Sequence, residues 1–482
     1  MLCRLLCALL FLAWTAEAPN DSVLYSGYWR SPFEIFAPLF VSIPGINLWA
    51  WQVLLLAAAP LCLASPGAFR RREWMMDGAI LVSLGSVAVT FMWGWMRGGS
   101  TYNAYYQLWR FLVALFVGLL VPSVVRGARD LRALGFTIVV AAVARGALAT
   151  YFFWAHVRGK IEPPPAHMTT HDDSLLFVAG VLVVGSWALA RSSVLAWLTA
   201  AVVSTHLVYA IILNDRRIAW VELLLVFVAL YMVLPWRGRL RRRVDRFTLV
   251  AVPVLLVYVA VGWGREGALF RPLRAVSTVI AERDDSSLAR QEEIRNLLYT
   301  FSAARNPLFG TGWGVEYEKV TSVYANFDDT WWQYRYLPHN SLLGVAVYGG
   351  FVGIFGIWLV VPMAAFLAAR GYRAVTRPSE RAAAMAALCI LPAYSAQCYG
   401  DVGLQSFTCS LILGVAIGVA GKVSALAASA PHTRTGRRAR RLASVSLPSP
   451  LAVDQHLAPS APTGQDQGAG SWLGRPGGRT RR

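Results

Sequence analysis

Of the 482 residues, 56% are hydrophobic and only 15% charged, and the apolar residues come in blocks of about eighteen, long enough to cross a bilayer. That excludes an ordinary soluble domain and predicts an all-α polytopic membrane protein. The formal net charge of +19 does not point to nucleic acid, because Lys and Arg gather in short loops between the apolar blocks and in the tail, where orientation signals belong.

Residues 2–18, "LCRLLCALLFLAWTAEA", combine an early Arg, an apolar run and an A-x-A ending, which fits a signal peptide or a short first span. About eleven further crossings follow, at roughly 47–65, 77–96, 108–125, 134–156, 174–190, 194–213, 218–235, 247–263, 341–368, 382–397 and 405–423. The expected organisation is a leading segment 1–18, a transmembrane bundle 19–263, a large, partly helical loop 264–340, C-terminal spans 341–423 and a tail 424–482. No internal repeat is visible. The basic clusters at 70–74, 126–132, 237–246, 370–377 and 434–441 all fall on one face, which the positive-inside rule makes cytoplasmic. The long loop then faces the periplasm. Composition predicts a disordered, basic cytoplasmic tail. The six cysteines lie in or beside apolar blocks without paired spacing, so they predict neither a disulfide framework nor a zinc site.

Charges inside apolar blocks are costly and should face the bundle interior. Arg145 and Glu222 are such residues, and they could pair with each other. Arg216 and Arg217, in the tight "NDRR" turn on the face that should lack positive charge, fit either snorkelling or an anion clamp. His167, His171, Asp172 and Asp173 have metal-ligand chemistry, but Pro163–Pro165 interrupt the helix that their spacing would need, and no metal is expected there.

In the long loop, "SSLARQEEIRNLLYTFSAARNPLFGTGWG" predicts a helix over about 288–304, followed by a Gly-rich turn. Ile294, Leu297, Leu298 and Phe301 share a face, and Arg290 extends that stripe by one turn. A guanidinium there either snorkels or grips phosphate. Trp331, Trp332, Tyr334 and Tyr336 read as an interfacial aromatic belt or as platforms for sugar rings. Pro338 ends the preceding structure and Asn340 or Ser341 can cap the next helix, so His339 sits at the positive end of a membrane helix. That position favours the neutral imidazole and makes His339 either an interfacial residue or a general base.

Arg290, the turn from Asn306 to Gly314, and the pair His339-Asn340 ahead of an apolar helix together resemble the O-antigen ligase and polysaccharide polymerase superfamily of bacterial envelope enzymes. The resemblance covers about residues 200–370 by motif. It implies a GT-C-like fold and a glycosyltransferase that needs no metal or other cofactor. The implied donor is a glycan on undecaprenyl diphosphate, and the acceptor is lipid A core or another glycan. By the same resemblance His339 is the base for the acceptor hydroxyl, while Arg290 and Arg217 or Arg216 hold the diphosphate; Asn340, Arg145, Glu222, Trp331, Trp332 and Tyr336 are candidate supporting residues. The chain has "DRRIA" where the family has Ser-Arg-Gly/Ala, leaving both adjacent arginines open, and Ile294 where an aromatic is common. Ligase is favoured over polymerase. A protein-glycosylating variant is also compatible, and a flippase or transporter is the rival of another class.

Overall fold

The computed structural model describes residues 1–16, 41–43, 46–48, 50–64, 72–161, 168–233, 238–265, 270, 273, 277, 285–321 and 335–429. They belong to one unit, Met1–Ala430. The aromatics Trp331, Trp332 and Tyr334 lie outside the described residues, as do His167 and the expected tail beyond Ser429; residues 424–429, expected to open the disordered tail, instead continue the last helix.

Every predicted crossing coincides with a helix. In chain order these are α1 (Leu2–Ala16), α2 (Ala50–Leu63), α3 (Trp74–Met96), α4 (Thr101–Val124), α5 (Ala128–Phe152, continued by a π-turn Phe153–Val157), α6 (His171–Arg191), α7 (Val194–Asn214), α8 (Arg217–Val233) and α9 (Arg239–Gly262). The loop helix α10 (Asp285–Ala303) follows, then α11 (Ser341–Gly356), which runs through a 3-10 turn into α12 (Val360–Ala374), and finally α13 (Pro378–Gly400) and α14 (Phe407–Ser429). Among the described residues, nine helices are long and apolar enough to cross a membrane, α11 and α12 acting as one. α1, α2 and α8 are shorter apolar helices. The protein is an all-α polytopic membrane protein. Its one departure among the described residues is a short hairpin, β1 (Val41–Ile43) against β2 (Ile46–Leu48), which delays the second helix to Ala50.

Helix starts follow local chemistry. Ser100 accepts from Asn103 N–H, Ser193 from Ala196 N–H and Asn340 from Leu343 N–H, and Pro378 occupies the first turn of α13, where its missing N–H costs nothing. α14 is the central helix, buried from Phe407 through Ser424 and lying against α4, α12 and α13. The close crossing with α4 depends on small residues. A Cβ at Gly414 would come 2.5 Å from Ala114 O, and one at Gly418 would come 2.5 Å from Val121 Cβ. Lipid gives no hydrophobic drive for helix association, so this backbone approach supplies the dispersion contacts instead. α1 joins the same core: it lies along α5, and its buried Trp14 donates to Thr408 O.

Short connections make successive helices antiparallel. The N-termini of α6, α8, α11 and α14 and the C-termini of α5, α7 and α13 therefore gather at one end of the bundle, under α10. Arg145 sits there within α5. Its partner is Asp173 on α6, not Glu222: Nε and Nη2 donate to the two carboxylate oxygens at 3.0 and 2.8 Å. Residue 173 is on the helix that lies directly along α5, so the bidentate pair forms between neighbours and fixes the first turn of α6. Asn214 secures the approach to α6, accepting from Thr169 N–H at 3.0 Å and donating to Thr170 O at 3.0 Å.

Candidate active site

The Gly-rich turn is the frame of the site. α11 is not the single straight span its apolar run predicts, for at Gly350 the backbone turns to φ 58°, ψ −150°. That break frees the carbonyls of Val347 and Tyr348 and the amides of Phe351 and Val352, all in an apolar setting where unpaired groups are costly. The turn satisfies all four. Thr311 N–H donates to Val347 O at 2.9 Å and Gly312 N–H to Tyr348 O at 3.0 Å. In return Phe351 N–H donates to Pro307 O at 2.8 Å and Val352 N–H to Leu308 O at 3.0 Å. Gly310, at φ 63°, is needed because a Cβ there would lie 2.1 Å from Val347 O. On the other side Trp313 Nε1 donates to Thr90 Oγ1 (2.8 Å), and Gln107 links the turn to the chain before His339 by accepting from Gly314 N–H (2.6 Å) and donating to Tyr336 O (2.9 Å). Tyr336 is thereby buried, 1% exposed. It is no part of an exposed belt, nor does it present an open stacking face.

α10 lies over this frame with its polar side inward. Glu293, Asn296, Leu297 and Thr300 are buried, whereas Leu298 is half exposed, the reverse of what the apolar stripe predicts for Leu298. The buried polar groups have work to do. Asn296 Oδ1 accepts from Val320 and Thr321 N–H, both at 3.0 Å, and Thr300 Oγ1 accepts from Glu318 N–H at 2.8 Å, tying the segment 315–321 beneath the helix. Glu293 reaches α11. Its Oε2 lies 2.8 Å from His339 Nδ1, and its Oε1 accepts from Asn340 N–H at 3.3 Å. A carboxylate at Nδ1 holds the proton there, so the lone pair of the neutral ring belongs to Nε2. Burial and the adjoining Glu293 and Glu292 carboxylates push the Tyr317 phenol far above its ordinary value.

Opposite His339 stands a second histidine–carboxylate pair. His171 Nδ1 is 2.5 Å from Asp401 Oδ2, joining the N-terminus of α6 to the C-terminus of α13. Burial alone would push the Asp401 carboxyl up. The His171 hydrogen bond and the charges of His171, Arg290 and His339 outweigh it and hold the group well below the usual carboxylate range. Arg290 Nη1 donates to Gly400 O, which anchors α10 to the end of α13. Arg217 Nη1 reaches Ser287 Oγ at 3.4 Å, one helical turn before Arg290. Arg216 lies half buried in the preceding turn, where Asp215 takes the left-handed conformation that ends α7. Ser341 Oγ donates to Gln405 Oε1 at 2.9 Å and receives Leu404 N–H at 3.4 Å, so the start of α11 is held against the α13–α14 connection.

His339, Asn340, Arg290 and Arg217 thus converge at one end of the bundle. Arg145 stands behind them, engaged with Asp173. Glu222 is fully buried in α8, and neither carboxylate oxygen has a hydrogen-bond partner among the described residues. No group of three or more His, Cys, Asp or Glu side chains placed to hold a metal occurs among the described residues; His171 faces Asp401. Sequence reasoning missed Glu293 and Asp401. Glu293 had one available signal, its position three residues after Arg290 on the same helix face.

The bundle and this end-on cluster define a polytopic membrane protein with a histidine–carboxylate pair beside paired arginines. Residues 202–358 match the family model described as O-Antigen ligase, so that stretch is similar to the O-antigen ligase/polymerase superfamily, whose members are glycosyltransferase-type enzymes. Arg217, Arg290, Glu293 and His339 lie inside the match; His171 and Asp401 lie outside it. A search of curated proteins finds no match to the chain.

Proposed function

We propose that the protein is a metal-independent glycosyltransferase of the O-antigen ligase type, moving a glycan from undecaprenyl diphosphate to a sugar hydroxyl of lipid A core. The observation that carries this reading is the Glu293–His339 contact beside Arg290 and Arg217. In the reaction, His339 Nε2 takes the proton of the acceptor hydroxyl as its oxygen bonds to the anomeric carbon. The bond from that carbon to the diphosphate oxygen breaks, and its electron pair leaves with the diphosphate. Glu293 orients the ring and stabilises the imidazolium, and Arg290 and Arg217 offset the charge that builds on the leaving group. Asn340 keeps Glu293 in register through its backbone N–H.

The site faces the periplasm in this proposal, within the bacterial inner membrane, and the basic tail lies in the cytoplasm, a reading that the distribution of Lys and Arg supports. Purified protein in lipid, given an undecaprenyl-diphosphate-linked oligosaccharide with lipid A core or with a second donor molecule in excess EDTA, tests it. Product on the lipid core is the expected result. Lengthened lipid-linked chains would make the enzyme a polymerase of the same superfamily, and translocation without transfer would replace the proposal by a flippase.

A further inference from the structure

At the opposite end of the bundle, α5, α6, α7, α13 and α14 line an open hollow of about 780 Å³. Its walls are apolar, with Ala383, Ala386 and Ala387 of α13 facing Val139 of α5 and Val183 and Trp187 of α6. An apolar hollow of this size is poorly filled by water, which finds no polar partners in it. Its mouth is of opposite character. Arg129 and Arg132, one turn apart on α5, and Arg191 at the end of α6 line it together with Ser379. All three arginines are exposed, and no ion pair involves them among the described residues.

The carboxylates next in the chain are already engaged: Asp130 accepts from Arg126 N–H at 2.7 Å, and Glu380 lies 3.4 Å from Arg377. The first turns of both α5 and α13 also open here, adding the positive ends of two long helices. Positive charge at the membrane surface over an apolar slot within the membrane matches one chemistry, a phosphate headgroup with acyl chains. The arginines proposed to hold the donor's diphosphate are at the other end, so this hollow does not serve the transfer site.

We infer that the hollow is a binding site for an anionic diacyl phospholipid of the leaflet opposite His339, its phosphate held by Arg129, Arg132 and Arg191 and an acyl chain seated along the alanine face of α13. The inference is independent of which glycan, if any, the protein transfers. The full-length protein in detergent, exposed to equal amounts of dioleoyl phosphatidylglycerol and dioleoyl phosphatidylcholine and examined by native mass spectrometry, tests it.

The expected result is a roughly hundredfold preference for phosphatidylglycerol, about fivefold for each of the three arginines. That preference should be lost in the triple variant Arg129→Gln/Arg132→Gln/Arg191→Gln. Ala386→Phe, which fills the slot and leaves the charge intact, should retain neither lipid. Equal retention of the two lipids by the unaltered protein overturns the proposal without recourse to any variant, as does an undiminished preference in the triple variant. Displacement of phosphatidylglycerol by an equal amount of undecaprenyl phosphate also overturns it, and assigns the hollow to the polyprenyl carrier.

Discussion

Glu293 restricts His339 in two ways through separate oxygens, directly at His339 Nδ1 and through the backbone N–H of the next residue, Asn340. This sets up a sharp test. In Glu293→Gln the amide oxygen must stay on Asn340 N–H, which turns the amide NH2 toward His339 Nδ1. The ring then carries its proton on Nε2 and cannot act as a base. Turnover should fall by about 10²–10⁴-fold, as it should for His339→Gln, with donor binding retained in both. Steady-state rates and donor titration separate the two effects, and a Glu293→Gln enzyme of normal turnover would remove the base role from His339. Asp401 gives a pH prediction. Its folded-state value lies below the unfolded one, so its ionised form contributes stability at every pH above the ordinary carboxylate value of about 3.9. That contribution is lost as pH falls from there toward the folded value. Thermal unfolding in detergent between pH 7 and 2.5 should show a steeper acid loss for the unaltered protein than for Asp401→Asn. His339 and Arg290 were legible in the sequence because each stands out locally, one at a helix start and the other on an apolar stripe. Asp401 and His171 were not, since 230 positions separate them and only the packing of α6 on α13 makes them partners.

α11 shows what a hydropathy pattern omits. An apolar run from Ser341 reads as one span, and its composition carries no sign that the ladder of helix hydrogen bonds breaks at Gly350 and is completed by a turn some forty positions earlier. The Gly350 conformation is one that residues with a Cβ rarely adopt, and a Cβ there would sit 2.5 Å from both Pro307 O and Leu308 O. Gly350→Ala should therefore destabilise the fold by at least about 1–3 kcal/mol. It should also lower kcat although it touches no reacting group, because the start of α11 carries His339. Thermal unfolding and rate measured on one preparation would check both. α10 misled differently: its apolar stripe implied a buried Leu298, yet the helix turns Glu293, Asn296 and Thr300 inward to hold a loop and a histidine. Amphipathicity predicts burial only when the neighbour is apolar, and here the neighbour is backbone.

Across the whole molecule the apolar intervals located the helices well, because length and composition suffice to commit a segment to lipid. Pairings between helices depended on which faces meet, and so Arg145 found Asp173 where the sequence offered Glu222 as readily. The Arg145–Asp173 pair is almost wholly buried. Removing one partner, as in Arg145→Met, leaves an uncompensated carboxylate and should cost about 3–5 kcal/mol, while replacing both by apolar residues of similar size should cost much less. Unfolding of the single and double variants in detergent distinguishes a structural pair from one that also serves turnover. Donor binding should follow stability in both if the pair only positions α6.

The cluster at the end of the bundle draws on residues from 171 to 401, and its last contributions, Gly400 O and Asp401, come from the close of α13. A chain emerging from the ribosome already contains His339 and both arginines while it still lacks the carboxylate that faces them and the carbonyl that anchors Arg290. Domains form in the order of synthesis, so the cluster is complete only once the penultimate helix has been made. Half-made copies hold neither the carboxylate that faces His171 nor the carbonyl that anchors Arg290, so the cluster is closed only late in synthesis.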